Sequence, residues 1–255
     1  MKNYKAMKES TRTTAQIRKQ SVLAFAIFIL CFGVAYFLWK ALRKQQKQDG
    51  VQTTLRAGLS TNEKIFSAAF NPCKLVKTYP VAEAAKKVRV NGDLGLKGGG
   101  FDPATWRLKL VRANKDTMAI SLEDIKRLPK TEIVFDFKCI EGWSQKTWWG
   151  GVKFSDFIKQ YGLDKEASLA YASLVTPDGA YYVGIDMPSM LQAQTILCYE
   201  MNGVPLPMNQ GYPLRLIIPV KYGIKHLKRI GMLSFSNLRP RDYWAEQGYD
   251  YYAGH

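Results

Sequence analysis

Residues 137–144 read Phe137-Lys138-Cys139-Ile140-Glu141-Gly142-Trp143-Ser144, and the rest of the chain is best read outward from them. A strand pattern leads in. Ile133, Phe135, Phe137 and Cys139 fall on alternate positions, while Asp136 and Lys138 take the other face, the period-two signature of a half-buried strand. The strand ends at the cysteine, and Gly142 starts a loop crowded by Trp143, Trp148 and Trp149. A thiolate is a soft ligand, so a cysteine held at a strand end and walled by aromatics is suited to a heavy metal. The competing reading is a buried cysteine packed as a small hydrophobe. The remainder of the sequence separates the two.

The chain has 255 residues and a formal net charge of +16. Residues 1–50 carry ten Lys and Arg against Glu9 and Asp49, so half of the excess lies in the first fifth of the chain. No basic run interleaves with stacking aromatics in a recognised module, which argues against nucleic-acid binding. From Val22 to Trp39 eighteen residues carry no charge and most are large and apolar, about the length that spans a bilayer as a helix. Tyr36 and Trp39 suit the interfacial belt. The run ends in Leu38-Trp39-Lys40 without small residues at a cleavage site, so it reads as an uncleaved anchor rather than a signal peptide. Lys2, Lys5, Lys8, Arg12, Arg18 and Lys19 precede the span and Lys40, Arg43, Lys44 and Lys47 follow it, a bias toward a cytoplasmic amino terminus with the following domain outside. Arg18-Lys19 is only a partial match to a twin-arginine export signal.

Cys31 lies in the span, and Cys73, Cys139 and Cys198 are far apart with no CxxC pair, which speaks against a disulfide scaffold or zinc knuckle. Two histidines, His226 and His255, are too few for a histidine-rich metal site. No GxSxG elbow accompanies His226 for hydrolase chemistry.

These features divide the chain into a basic segment (1–20), an anchor (21–39), a polar tether (40–71) expected to be partly mobile, and one packed domain (72–255). The domain reads as mixed α+β with more sheet than helix. Strands are predicted at 106–111, 131–139, 214–220 and 227–235, with a hairpin of 169–175 and 180–185 across Thr176-Pro177-Asp178-Gly179. Asn202-Gly203 marks a tight turn after 197–201. Ser121 caps a short helix that stops near Leu128-Pro129, and a second helix over 153–161 ends at Gly162.

Three blocks in order resemble the molybdopterin-binding domain of the sulfite oxidase family, nearest to its branch of periplasmic protein-methionine-sulfoxide reductase catalytic subunits. Cys139, Glu141, Trp143 and Ser144 match a C-x-E-x-W-S strand-end motif. Residues 199–228, YEMNGVPLPMNQGYPLRLIIPVKYGIKHLK, match a second block, and Val90-Asn91-Gly92-Asp93 followed by Phe101 to Leu108 is similar to an opening segment. The resemblance covers roughly 88–252 and implies a sulfite oxidase-like fold binding molybdopterin. It implies Cys139 as the molybdenum ligand. Glu141 beside it reads either as a solvated loop acid or, in a catalytic role, as a group that fixes the cofactor loop. The resemblance implies cofactor contacts from Asn91, Cys139, Ser173, Gln210, Arg215, His226, Leu227 and Lys228, where Ser173 and Gln210 replace a Thr and an Asn, and His226 replaces a Gly. Arg215 can grip a phosphate bidentately and Lys228 can add a point charge. Gly211 and Gly223 are expected to let the backbone approach the cofactor.

The function implied is oxygen-atom transfer on a small sulfur-containing substrate of the methionine sulfoxide type, at the outer face of the membrane. The chain carries no CxxCH motif, and the resemblance implies a membrane-bound haem subunit as electron partner. Sulfite dehydrogenase-like chemistry, or a non-catalytic tethered module on the same fold, are the alternatives. Joint presence of Cys139, Arg215 and Lys228 argues against the last.

Overall fold

The computed structural model describes residues 13–97 and 100–255; the basic positions Lys2, Lys5, Lys8 and Arg12 lie outside them. The chain divides into two compact units. The first, residues 13–47 with 52–54 among the described residues, is built on helix α1 (Thr14–Lys44). Thr13 caps it in a reciprocal box with Gln16, and Arg43 and Lys44 occupy its last turn, where cations oppose the negative helix end. None of its residues is buried. At 31 residues it extends the apolar run at both ends, because Ala15, Gln16, Arg18 and Lys19 before it and Lys40 to Lys44 after it are favourable helix formers. It is long and apolar enough to cross a membrane.

The second unit comprises residues 48–51 and 55–255. The predicted tether is corrected here. After two short strands, β1 (Lys47–Gln48) and β2 (Val51–Gln52), helix α2 (Thr53–Ala69) forms. Arg56 explains its order. Arg56 is 6% exposed, and its guanidinium donates to the carbonyls of Asp49 and Ala245 at 2.6 Å each and of Tyr249 at 3.2 Å. These partners, up to 193 residues away, leave no trace in local periodicity.

The remaining elements are β3 (Leu108–Val111), β4 (Thr117–Ile120), α3 (Leu122–Lys126), β5 (Lys130–Lys138), β6 (Ser144–Lys153), α4 (Phe154–Gln160), α5 (Asp164–Ala167), β7 (Tyr171–Val175), β8 (Tyr182–Asp186), α6 (Met187–Met190), β9 (Ile196–Met201), β10 (Val204–Pro205), β11 (Arg215–Ile217), β12 (Met232–Ser236) and α7 (Tyr243–Glu246). Among the described residues they make two five-stranded sheets. One runs β10-β9-β6-β5 with β11 also on β9, and the other β4-β3-β12-β7-β8. Within them β12 and β3 are parallel and the other pairs antiparallel.

The alternation in β5 does what its pattern demands. Ile133, Phe135 and Phe137 are buried with Trp149, Ile196, Cys198 and Ile217 in one apolar cluster; full burial of an aromatic such as Phe135 contributes about 2–3 kcal/mol. Trp148 and Trp149 belong to β6, paired with Val134 and Ile133, and not to a loop as expected. Ladder pairing along all of β5 extends the strand through them. The predicted strand over 227–235 also shrinks. Arg229 adopts a left-handed φ of 53°, which breaks the extended run, and β12 starts at Met232. The β7–β8 hairpin forms as read. So does the Asn202-Gly203 turn, with φ of 54° and 76°, the paired left-handed residues of a type I′ hairpin.

Candidate active site

Lys138 pairs with Ser144 at the end of the β5–β6 ladder, so residues 139–143 form the connecting loop. Cys139 N–H donates to Trp143 O at 2.9 Å, and Gly142 N–H donates to Cys139 O at 3.1 Å. Gly142 takes φ +88°, a conformation open to glycine at little cost. The loop therefore closes tightly and fixes the cysteine just beyond the last strand residue. Trp143 stacks on Phe137 with ring centroids 5.9 Å apart, its indole N–H donates to Glu141 Oε2 at 2.9 Å, and Arg89 lies over it at 4.6 Å. Glu141 itself is exposed at the rim.

Cys139 is 5% exposed. Burial raises its thiol pKa. The amides of Glu141 and Ile140 and the Arg89 cation pull the other way, and the Glu141 carboxylate adds to the rise.

The sulfur faces a cavity of about 110 Å³. Asn91, Gly92, Glu141, Gly223, His226 and Lys228 line its polar part, and Leu94, Ile140, Tyr181, Ile224, Trp244 and Tyr249 its apolar part. Lys228 is 4% exposed. Its ammonium donates to the carbonyls of Gly92 (2.7 Å), Asn91 (3.0 Å) and Asn209 (3.3 Å). Burial, followed by the nearby Arg215 charge, pushes its pKa down to about 7. Gly211, φ +100°, backs directly onto Lys228: a Cβ there would stand 2.7 Å from the lysine's own Cβ. Gly223 lies on the cavity wall against Phe137 and Asn91.

Not every expected residue reaches this cavity. Arg215 is fully buried behind it, in a narrower crevice that shares Asn91 and includes Gln210, Trp143 and Trp149. Its guanidinium stacks over Trp149 at 4.5 Å and donates to Gln210 O (3.1 Å) and Oε1 (2.9 Å), while Nε is buried without a partner. Gln210 in turn donates to Arg89 O at 3.3 Å. His226 lines the cavity, but both nitrogens are engaged: Ile218 N–H approaches Nδ1 at 3.5 Å and Nε2 lies 3.1 Å from Lys221 O. Burial pushes its pKa down to about 3, with Arg215 adding to the fall, so the ring is neutral and held by the backbone. Leu227 is a core residue with 0% exposure. Ser173 sits mid-strand between Gly184 and Ser234 and lines neither space. A one-residue step along β7 decides which side chains face inward, and the sequence match alone did not fix that register.

The sequence reading missed Leu94, Tyr181, Ile224, Trp244, Tyr249 and Arg89. The aromatic density of Tyr243-Trp244 through Tyr249 was a visible signal, but it lies more than a hundred residues from Cys139.

The model of the oxidoreductase molybdopterin-binding domain matches residues 97–244 of this chain. The chain belongs to that family. A subunit named YedZ1 from Azospira oryzae, assigned by name to a protein-methionine-sulfoxide reductase, is 32% identical over 209 residues, 81% of this chain and 78% of that protein. The catalytic subunit of the protein-methionine-sulfoxide reductase of Campylobacter jejuni is 27% identical over 60% of this chain and 57% of its own length. Mouse mitochondrial sulfite oxidase is 29% identical over 58% of this chain, which spans only 32% of that enzyme. This molybdopterin-binding oxidoreductase thus has a sulfite oxidase-like domain, and the residues present fit its cofactor. Lys228 and Arg215 are buried cations whose partners among the described residues are carbonyls and an amide, not carboxylates. An uncompensated buried cation is costly, and an anionic phosphate is the group that would complete it.

Proposed function

We propose that the chain is a membrane-anchored molybdenum oxidoreductase that removes an oxygen atom from a neutral sulfoxide. Residues 21–39 are the core of its anchor and residues 72–255 its catalytic domain. One observation carries the reading: a recess that ends on the Cys139 sulfur is backed by two buried cations lacking a carboxylate. When bound, molybdopterin supplies a metal that accepts the oxygen and exchanges two electrons. Cys139 holds that metal through its thiolate, and the amides of Ile140 and Glu141 offset part of the cost of ionising a buried thiol. Lys228 and Arg215 neutralise the pterin phosphate, while Asn91 and Gln210 offer hydrogen bonds. Trp143 and Glu141 clamp the loop that carries the cysteine.

The substrate class follows from the walls. Leu94, Ile140, Ile224, Trp244 and Tyr249 form an apolar recess, and the exposed Glu141 carboxylate at its rim repels an anion. Both favour a neutral sulfoxide, whose alkyl groups fit the apolar walls and whose thioether product packs well against aromatic rings. Overall, the sulfoxide takes up two electrons and two protons and leaves as a thioether and water. Sulfite oxidation is the second reading, favoured by the Arg89 cation that lies over Trp143 beside the cysteine loop. Electrons arrive from a membrane-bound haem subunit, and the domain lies on the outer side of the membrane.

The full chain, purified in mild detergent, tests this reading. It should contain molybdenum and pterin and oxidise a reduced viologen when given methionine sulfoxide. Protein free of both metal and pterin overturns the enzyme reading; ferricyanide-coupled sulfite oxidation without sulfoxide reduction overturns the substrate.

A further inference from the structure

Helix α2 carries an apolar face that nothing in the second unit covers. Leu55, Ile65 and Phe66 are 52%, 58% and 49% exposed, and Leu75 just beyond the helix is 58% exposed. At one hundred degrees per residue, Leu55, Ile65 and Phe66 fall within an arc of about 100°, and the buried Arg56 lies outside it. Phe66, Phe70, Leu75 and Val76 line one continuous groove together with Lys74 and Lys77. Cations predominate among the charges of this segment. Between Ala57 and Tyr79 the cations are Lys64, Lys74 and Lys77, and the sole acid is Glu63. Glu63 faces inward, paired with Arg239 at 3.0 Å and 17% exposed.

Apolar side chains framed by lysines, with no free acid among them, match a surface of anionic lipid: apolar groups enter the headgroup boundary while cations meet phosphates. Chain connectivity supplies the second argument. Thr53 follows Lys44, the last residue of the apolar helix α1, by nine residues, a reach of about 30 Å at full extension. Phe66 lies about 20 Å further along α2 at 1.5 Å per residue, so the chain tethers the patch within about 50 Å of the end of α1.

We propose that the exposed face of α2, continued by Leu75, rests on the anionic lipid surface of the membrane, making the attachment of this domain two-part. The proposal rests on the reading of α1 as an anchor. Resting α2 on the lipid limits how far the catalytic domain can swing from the membrane, the site where an electron partner would be met.

The test uses the full chain in vesicles of phosphatidylcholine with phosphatidylglycerol, with the exposed Cys31 and Cys73 changed to Ser. An environment-sensitive label is placed at Phe66→Cys, with Leu75→Cys as a second site and Met118→Cys, on β4, as the reference. Lipids carrying a nitroxide near the headgroup are the quencher. Labels at 66 and 75 should lose most of their emission and the label at 118 little. Replacing the phosphatidylglycerol with phosphatidylcholine should weaken the loss. If the protein floats with vesicles but all three labels behave alike, the docking is wrong while the anchor stands. If it does not float, both fail. Concentration-dependent disulfide cross-linking between copies through position 66, without nitroxide quenching, assigns the face to a second copy instead and overturns the proposal.

Discussion

Cys139 makes the hydrogen bonds of the turn through backbone atoms, to Trp143 O and from Gly142 N, so the turn does not depend on its side chain. Cys139→Ser should therefore reduce turnover by more than about 100-fold, since a ligand matters at least as much as its outer partners. The same change should alter folding stability by only about 1 kcal/mol. Turnover assays beside denaturant unfolding separate the two effects, and undiminished activity removes Cys139 from the site. Arg215→Ala and Lys228→Ala should each lower the molybdenum and pterin content of purified protein; full occupancy in either variant removes that residue from the phosphate site. His226 gives a pH prediction. Its folded pKa, about 3, is below its ordinary value of 6.5. Between those values the unfolded chain binds the proton and the folded one does not. Stability is thus intact above pH 6.5 and falls on acidification by up to about 1.4 kcal/mol per pH unit. His226→Gln keeps a donor for Lys221 O and an acceptor for Ile218 N–H, and should flatten this part of the slope. Denaturant midpoints of both proteins across that range check it; parallel curves would show that His226 is not the group responsible.

At the scale of elements, tight strand packing depends on residues with no side chain. The register of β6 on β9 shifts between Gly150 and Gly151, and a Cβ on Gly151 would press on Leu197 O and stand 2.7 Å from Cys198 Cα. Backbone cannot yield as a flexible side chain can. Gly151→Ala should cost about 3 kcal/mol or more, measured as a fall in denaturant midpoint; a loss below 1 kcal/mol would mean the strands separate easily. Helix α3 offers a milder case. Ser121 accepts from Asp124 N–H at 3.1 Å and Asp124 accepts from Ser121 N–H at 3.2 Å, so Ser121→Ala should cost about 1 kcal/mol. Elements with a local cause were legible: β5 from alternation, α3 from its box, the β9–β10 turn from Asn-Gly. Elements with a distant cause were not. α2 is tied down by carbonyls near the carboxyl end, and Trp148 and Trp149 become strand through ladder pairing.

Across the whole molecule, a domain outside the cytoplasm, held by α1, should be digested by protease added to intact spheroplasts and stay with membranes until detergent is added. Digestion only after lysis places it inside, and release without detergent removes the anchor. The orientation draws on six cations before the span against four after it. What the sequence alone determined is what depends on near neighbours or on identity of residue: the apolar span, the strand that delivers Cys139, the turn chemistry, and the family, whose blocks match residue by residue. What only the tertiary structure decided is which of those residues meet. Lys228 reaches the recess through the Asn91 and Gly92 carbonyls, 137 and 136 residues away. Trp244 and Tyr249 wall it from the far end of the chain. Of the residues that matched by position, Ser173 lines neither space and Leu227 is buried in the core. Side-chain direction is set by strand register and by what packs behind, and both are properties of the assembled sheets, not of any segment read by itself.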